Sequence, residues 1–162
     1  MKYVIAQLIS FILPITALVL IPLFIEPDIA IKNVYAFITG CFLMFIGLSV
    51  MAQTIASFIR KGKGTLAPWS PTQKLIFRGL YAYVRNPMIL GVLTVLIGES
   101  ITILSLNILI WTVIFFIANT LYFIIYEEPN LEKRFGDEYR EYKRNVNRWF
   151  PRSKPFTPDR KS

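Results

Sequence analysis

The chain has 162 residues, 54% of them hydrophobic, with 18 Lys and Arg against 10 Asp and Glu, no histidine and one cysteine. A mean hydropathy of +0.50 is too apolar for a soluble domain of this length. The absence of histidine excludes His-based zinc sites and His-dependent hydrolase triads, and the lone Cys41 excludes an intrachain disulfide.

The net charge of +8 is placed beside membrane-length apolar runs, which suits anionic lipid headgroups better than nucleic acid. A span needs about 20 apolar residues. Residues 3–25 provide the first, with Pro14 and Pro22 inside it. This run is too long for a signal peptide and has no small-x-small cleavage site after it, so a retained span is expected. A polar turn, Glu26-Pro27-Asp28, closes it. Residues 34–59 form the second span, in which Gly40 and Gly47 suit close helix packing and Cys41 reads as a small buried residue.

Between the second and third spans, Leu75, Ile76, Leu80, Tyr83 and Val84 recur at helical spacing and predict a short amphipathic interfacial helix. The apolar stretch 88–126 would measure nearly 60 Å as one helix, twice the bilayer. It is therefore predicted to be two spans, about 87–105 and 107–126, in a tight hairpin turning near 100–107. Asn86-Pro87 has the chemistry of an N-cap followed by the first helical residue. Trp111, Tyr122 and Tyr126 suit interfacial anchoring or site lining, and Asn107 and Asn119 suit interhelical hydrogen bonds. Leu131, Phe135, Tyr139, Tyr142 and Val146 then step by helical intervals, predicting an amphipathic helix over about 129–147.

The expected fold is all-α and integral to the membrane: about four transmembrane helices with a tight C-terminal helical hairpin, plus a cytoplasmic amphipathic C-terminal helix. One domain covers residues 1–152, and 153–162 read as a disordered basic tail. With four spans, every basic residue except Lys32 falls on one side. The positive-inside rule then makes both termini cytoplasmic.

Polar residues at the span boundaries carry the candidate chemistry. The start of the third span, with its free N–H groups, favours an anion such as a carboxylate, and Gly91 one turn in leaves room for a neighbour or ligand. Glu127-Glu128 sits at the C-terminal end of the fourth span, where a helix disfavours anions. Cations must compensate, from Arg85 and the basic loop or from a ligand. The hairpin should bring Arg85 and Glu128 to one cleft. Glu99 lies about 18 Å along the third helix from Pro87, near the far interface.

The string Gly79-Leu-Tyr81-Ala-Tyr83-Val-Arg85-Asn86-Pro87-Met88-Ile89-Leu90-Gly91 is followed by Glu127-Glu128-Pro129-x-Leu131, Phe135-Gly136-x-x-Tyr139-x-x-Tyr142 and Val146-x-Arg148-x-x-Pro151. In order and spacing this resembles the isoprenylcysteine carboxyl methyltransferase and phospholipid methyltransferase superfamily of integral membrane enzymes, over about half the chain. The resemblance implies S-adenosylmethionine as methyl donor, no metal, and a lipid-like or amphiphilic acceptor entering from the bilayer. It places the cofactor against Gln73, Leu75, Ile76, Tyr81, Asn86, Pro87, Met88, Ile89 and the acidic pair Glu127-Glu128; the residues themselves add Gly91 beside the cofactor and Arg85 with Glu128 as the expected catalytic pair. Arg148 would orient an anionic headgroup or carboxylate of the substrate. Asn86-Pro87-Met88-Ile89 stands where the family often has His-Pro-x-Tyr, so a hydrogen bond from Asn86 survives but the tyrosine ring and hydroxyl do not. Carboxyl, amine and thiol acceptors all remain open. The competing function is a small four-span transporter or scaffold that uses Glu99.

Overall fold

The computed structural model describes residues 12–61 and 75–158. Among these residues the structure is helical, without strands. Helix α1 comprises Ile12–Ile15, a π-helical turn Thr16–Leu20, and Ile21–Ile25. Helix α2 is Val34–Lys61, started by Asn33, whose Oδ1 accepts from the N–H groups of Tyr35 (2.8 Å) and Ala36 (3.1 Å). Helix α3 is Pro87–Ile103 and α4 is Leu106–Tyr122, extended by a π turn Phe123–Glu127 into α5, Glu128–Asn145.

Both π turns stop two residues before a proline, Pro22 and Pro129. A proline inside a helix lacks the N–H for the i−4 carbonyl and its ring crowds that carbonyl. Widening the preceding turn relieves the crowding without ending the helix. The fourth apolar helix is therefore continuous with α5, and it carries Glu127 and Glu128 across the widened turn.

Helices α2 and α3 pack antiparallel through two glycine pairs. A Cβ on Gly47 would lie 2.6 Å from the Gly91 carbonyl oxygen, and one on Gly98 would lie 2.7 Å from that of Gly40. Small residues let the backbones touch, as expected for Gly40 and Gly47. Leu96, Val92, Val95 and Met51 form the core beside this seam, with Trp111 and Phe115 of α4 against it. The hairpin between α3 and α4 turns at Leu104, whose left-handed φ of 52° ends α3. Ser105 then caps α4 by accepting from Ile108 N–H at 3.3 Å. Trp111 ties α4 to α1, its indole N–H donating to Ala17 O at 3.1 Å.

Val34–Ser57 and Leu106–Asn145 are long and apolar enough to cross a membrane, while Thr16–Ile25 and Pro87–Ile103 are shorter apolar helices. Large apolar side chains such as Phe42, Phe45 and Ile125 point away from the bundle. Cys41, expected to be buried, shares that outward surface.

Other expectations fail for identifiable reasons. Residues 75–84 contain a 3₁₀ turn, Gly79–Ala82, and no α-helix. Gly79 has φ +67°, which breaks a right-handed helix. The backbone here is instead used by the C-terminal segment: Phe156 N–H donates to Ala82 O at 2.8 Å, Arg152 N–H to Tyr83 O at 2.9 Å, and Arg85 N–H to Asn147 O at 2.9 Å. The basic tail is accordingly ordered as far as Phe156, which is buried with Tyr139, Tyr142 and Val146. Gly136, at φ 55° and ψ −127°, breaks α5 into two stretches, yet Leu131 and Phe135 before it and Tyr139 and Tyr142 after it still share that cluster. Asn119 bonds the Phe115 carbonyl of its own helix at 2.8 Å, not a neighbouring helix.

Candidate functional site

Glu128 is the centre of an ion cluster at one end of the bundle. It is 5% exposed. Its Oε1 accepts from Arg85 Nη1 at 2.8 Å and from Arg148 Nε at 2.7 Å, and its Oε2 lies 3.2 Å from Lys143 Nζ. Lys143 also reaches Glu132 at 2.6 Å. Burial pushes the Glu128 carboxyl up, but the hydrogen bonds from Arg148 and Lys143 and the charges of Arg85 and Arg148 outweigh it and hold the group below its usual range. One carboxylate thereby joins three chain segments: the stretch leading into α3, α5 itself, and the strap after α5. Arg85 and Glu128 do meet, as their positions at the two ends of a hairpin predict.

Glu127, one residue earlier, is different. Burial and the adjacent Glu128 charge raise its carboxyl to about 7, with no cation acting against them. Among the described residues no basic side chain forms an ion pair with it. Tyr81 shares its surroundings: burial, then Tyr142 and then the Glu127 charge hold its phenol well above the ordinary range. Tyr142 donates its hydroxyl to the Tyr81 carbonyl at 2.7 Å, fixing the 3₁₀ turn against α5. Tyr139 lies 3.4 Å from Arg85 Nη1.

Two buried donors at this end have no acceptor, Arg85 Nε and the indole Nε1 of Trp149. Buried polar atoms are nearly always satisfied, so each orphan calls for an explanation. The Trp149 ring is held between Phe116 of α4 and Phe123 of the π turn that follows it, at centroid distances of 5.3 and 5.9 Å.

The remaining expected residues fall as follows. Asn86 and Pro87 begin α3, but the Asn86 side chain makes no capping hydrogen bond, which leaves its amide and the first N–H groups of the helix open. Met88, Ile89 and Ile76 are half-buried. Leu75 packs on the Tyr139–Tyr142 cluster. The close neighbour of Gly91 is α2, since a Cβ there would meet Met51 Cγ at 2.7 Å. Arg148, expected to face a substrate, has its Nε committed to Glu128. Gln73 lies outside the described residues. Sequence reasoning missed Lys143 and Trp149. Lys143 follows Tyr139 and Tyr142 on α5 without sharing their apolar stripe, and Trp149 stands directly after the arginine that binds Glu128.

A helical bundle with an apolar exterior, and a charged cluster at the junction of its last hairpin with a C-terminal strap, defines a membrane-type protein with its ion pairs gathered at one end. The phospholipid methyltransferase family matches residues 35–138, which include the whole hairpin, Arg85 and the acidic pair. The chain belongs to this family, a group of integral membrane methyltransferases. An uncharacterized protein of Haemophilus influenzae is 41% identical over 67 residues, which cover 41% of this chain and 97% of that protein. No solved structure matches the chain.

Proposed function

We propose that this chain is a four-span methyltransferase that uses S-adenosylmethionine to methylate a lipid-like or amphiphilic acceptor at the cytoplasmic membrane face. Glu127 is the observation that carries the reading: a carboxyl buried beside a second carboxyl, within the continuous α4–α5 helix, with no ion-pairing cation among the described residues. Such a group suits a ligand ammonium. The open N–H groups at the start of α3 and the unpartnered Arg85 Nε suit a carboxylate. Together they fit the amino-acid end of the donor, which when bound supplies an electrophilic sulfonium methyl group.

The protein's own task is placement. Displacement at a methyl group needs alignment of acceptor, carbon and leaving sulfur more than proton transfer, which agrees with a site lacking histidine. Glu127 holds the ammonium, and the α3 N-terminus with Asn86 holds the carboxylate. The Tyr81 ring packs on the purine or the sulfonium. Glu128 works through its neighbours: by binding Arg85, Arg148 and Lys143 it sets the distance between hairpin and strap. The acceptor approaches along the apolar outer surface. In the four-span reading, Thr16–Ile25 and Pro87–Ile103 cross with the two longer helices. Pro87–Ile103 reaches about 26 Å, enough for most of the hydrocarbon core. The strap and both termini then share the cytoplasmic side.

Calorimetric titration of S-adenosylmethionine into the detergent-purified chain tests the donor. Saturable binding, weakened at least tenfold by Glu127→Gln, is expected. A flat titration of the parent protein overturns the assignment. Transfer of labelled methyl groups to a lipid extract of the host, followed by mass analysis of the product, tests the acceptor.

A further inference from the structure

At the end of the bundle opposite Glu128, a cavity of about 290 Å³ opens between all four apolar helices. That volume is near the lower limit for small-molecule sites, about 300 Å³. Its walls are mostly aliphatic, from Leu18 and Leu23 of α1, Met44 of α2 and Ile108 of α4. Three polar side chains, Glu26, Glu99 and Thr102, complete it, and no lysine or arginine is among its lining residues.

Among the described residues, the side-chain oxygens that face this space are left as acceptors. Glu99 Oε2 is buried without a hydrogen-bond partner. The Thr102 hydroxyl donates to Gly98 O at 2.7 Å, so only its oxygen lone pairs are left. Glu26 Oε2 already accepts from Ser105 Oγ at 2.6 Å and Asn107 Nδ2 at 3.4 Å. Glu26 is thus held in place by the hairpin turn, while Glu99 is unmatched. A carboxylate oxygen without a donor, beside a hydroxyl whose proton is spent and in an apolar hollow, lacks a cation that also donates hydrogen bonds.

We infer that this cavity binds the ammonium head of a single-chain alkyl amine, with Glu99 as its counter-ion, Thr102 as a second acceptor and the aliphatic walls around the chain. The site is separate from the Glu127 end, since α3 places Glu99 about 18 Å from Pro87. It requires no methyl transfer and stands independently of the donor assignment. It also absorbs Glu99, which the methyltransferase reading leaves unused.

The test is calorimetry with octylammonium, octanol and octanoate, each titrated into the purified chain and into Glu99→Gln under the same detergent. Partition into the micelle is common to both proteins, so the difference between them reads the site. Octylammonium should bind the parent saturably and at least tenfold more weakly in Glu99→Gln. Octanol and octanoate should show no difference between the two proteins. Glu26→Gln should weaken octylammonium less than Glu99→Gln does, because its carboxylate is committed to Ser105 and Asn107. Leu23→Trp, which fills the hollow without touching a carboxyl, should also abolish octylammonium binding and keeps the test open if Glu99→Gln does not fold. Equal octylammonium affinity in parent and Glu99→Gln, or undiminished binding in Leu23→Trp, overturns the inference. So does octanol binding that matches octylammonium in every variant.

Discussion

The two ends of the bundle treat carboxylates in opposite ways. At the strap end Glu128 is surrounded by Arg85, Arg148 and Lys143. At the hairpin-turn end Glu26 meets only neutral donors, and Glu99 Oε2 meets none. The difference recurs within a single residue step at the strap end, between Glu128 and Glu127. A carboxylate whose charge the chain itself matches is part of the framework, and one left unmatched marks where something else belongs.

The largest expected effect follows from removing the matched charge. Glu128→Gln leaves Arg85 and Arg148 partly buried without an anion, and breaking such a pair costs about 3–5 kcal/mol. Thermal unfolding in detergent should show a large loss, and the strap, which is tied through Arg148, should become protease-sensitive. The wild-type contribution also has a pH sign. Because the folded carboxyl is held below its ordinary range, its stabilisation is present above that range and is lost as pH falls through the folded value. If Glu128→Gln unfolds at the parent temperature, the cluster is not the framework described.

Glu127 should show the reverse sign. Its folded carboxyl stands at about 7 against an ordinary 4.5. The folded chain therefore keeps a proton that the unfolded chain has lost. Stability falls as pH rises from about 4.5 to 7, by on the order of 3 kcal/mol in total. Glu127→Gln should flatten this part of the pH profile and be at least as stable as the parent at pH 8. A ligand ammonium reverses the penalty, so donor binding near pH 6.5 should release protons. Calorimetry in buffers of different ionisation enthalpy reads that release, which should vanish in Glu127→Gln. An unchanged proton count in the variant would separate Glu127 from the ligand.

How far these features could be read from the chain depends on what fixes each one. Helix α3 begins at Pro87 and turns back near Ser105 because a proline start and the bilayer's thickness constrain it, and both are visible in sequence. The meeting of Arg85 with Glu128 follows from a hairpin of two equal apolar runs. The Gly79 turn was hidden, because Leu80 and Val84 keep helical spacing even though the backbone between them is pulled into hydrogen bonds with the strap. The break at Gly136 was hidden for a similar reason: the apolar stripe continues on both sides of it. Docking of Phe156 depends on contacts more than 70 residues away in sequence, a separation that no local pattern encodes. The ion pair of Arg148 with Glu128, 20 residues earlier in the chain, likewise has no local signature, since nothing in the neighbourhood of Arg148 announces that Glu128 takes a second guanidinium.

A smaller effect is expected at the glycine seam, which links the two ends mechanically. Gly91→Ala places a methyl group 2.7 Å from Met51 Cγ and 2.9 Å from the Gly47 carbonyl oxygen. Backbone on one side cannot yield, so α2 and α3 must separate, at about 1–3 kcal/mol for an overpacked contact. Gly40→Ala meets the Gly98 carbonyl at 2.5 Å and should behave alike at the opposite end. Measured by thermal unfolding, similar losses at both positions would show that the seam is uniform and that the ends differ in charge alone.

The smallest effect makes the sharpest control. Arg140 Nη1 and Asp137 Oδ1 are 2.6 Å apart, closer than the 2.8 Å of Arg85 and Glu128. Their side chains are 55% and 95% exposed, however, against 10% and 6% for the buried pair. Water already solvates both exposed ions, and holding two long side chains together costs conformational freedom. Asp137→Asn should leave the unfolding temperature and its salt dependence unchanged, while Glu128→Gln lowers that temperature steeply. The shorter ion pair is then the dispensable one. If Asp137→Asn were instead as damaging as Glu128→Gln, burial would not be what distinguishes the cluster, and the contrast between matched and unmatched carboxylates would lose its physical basis.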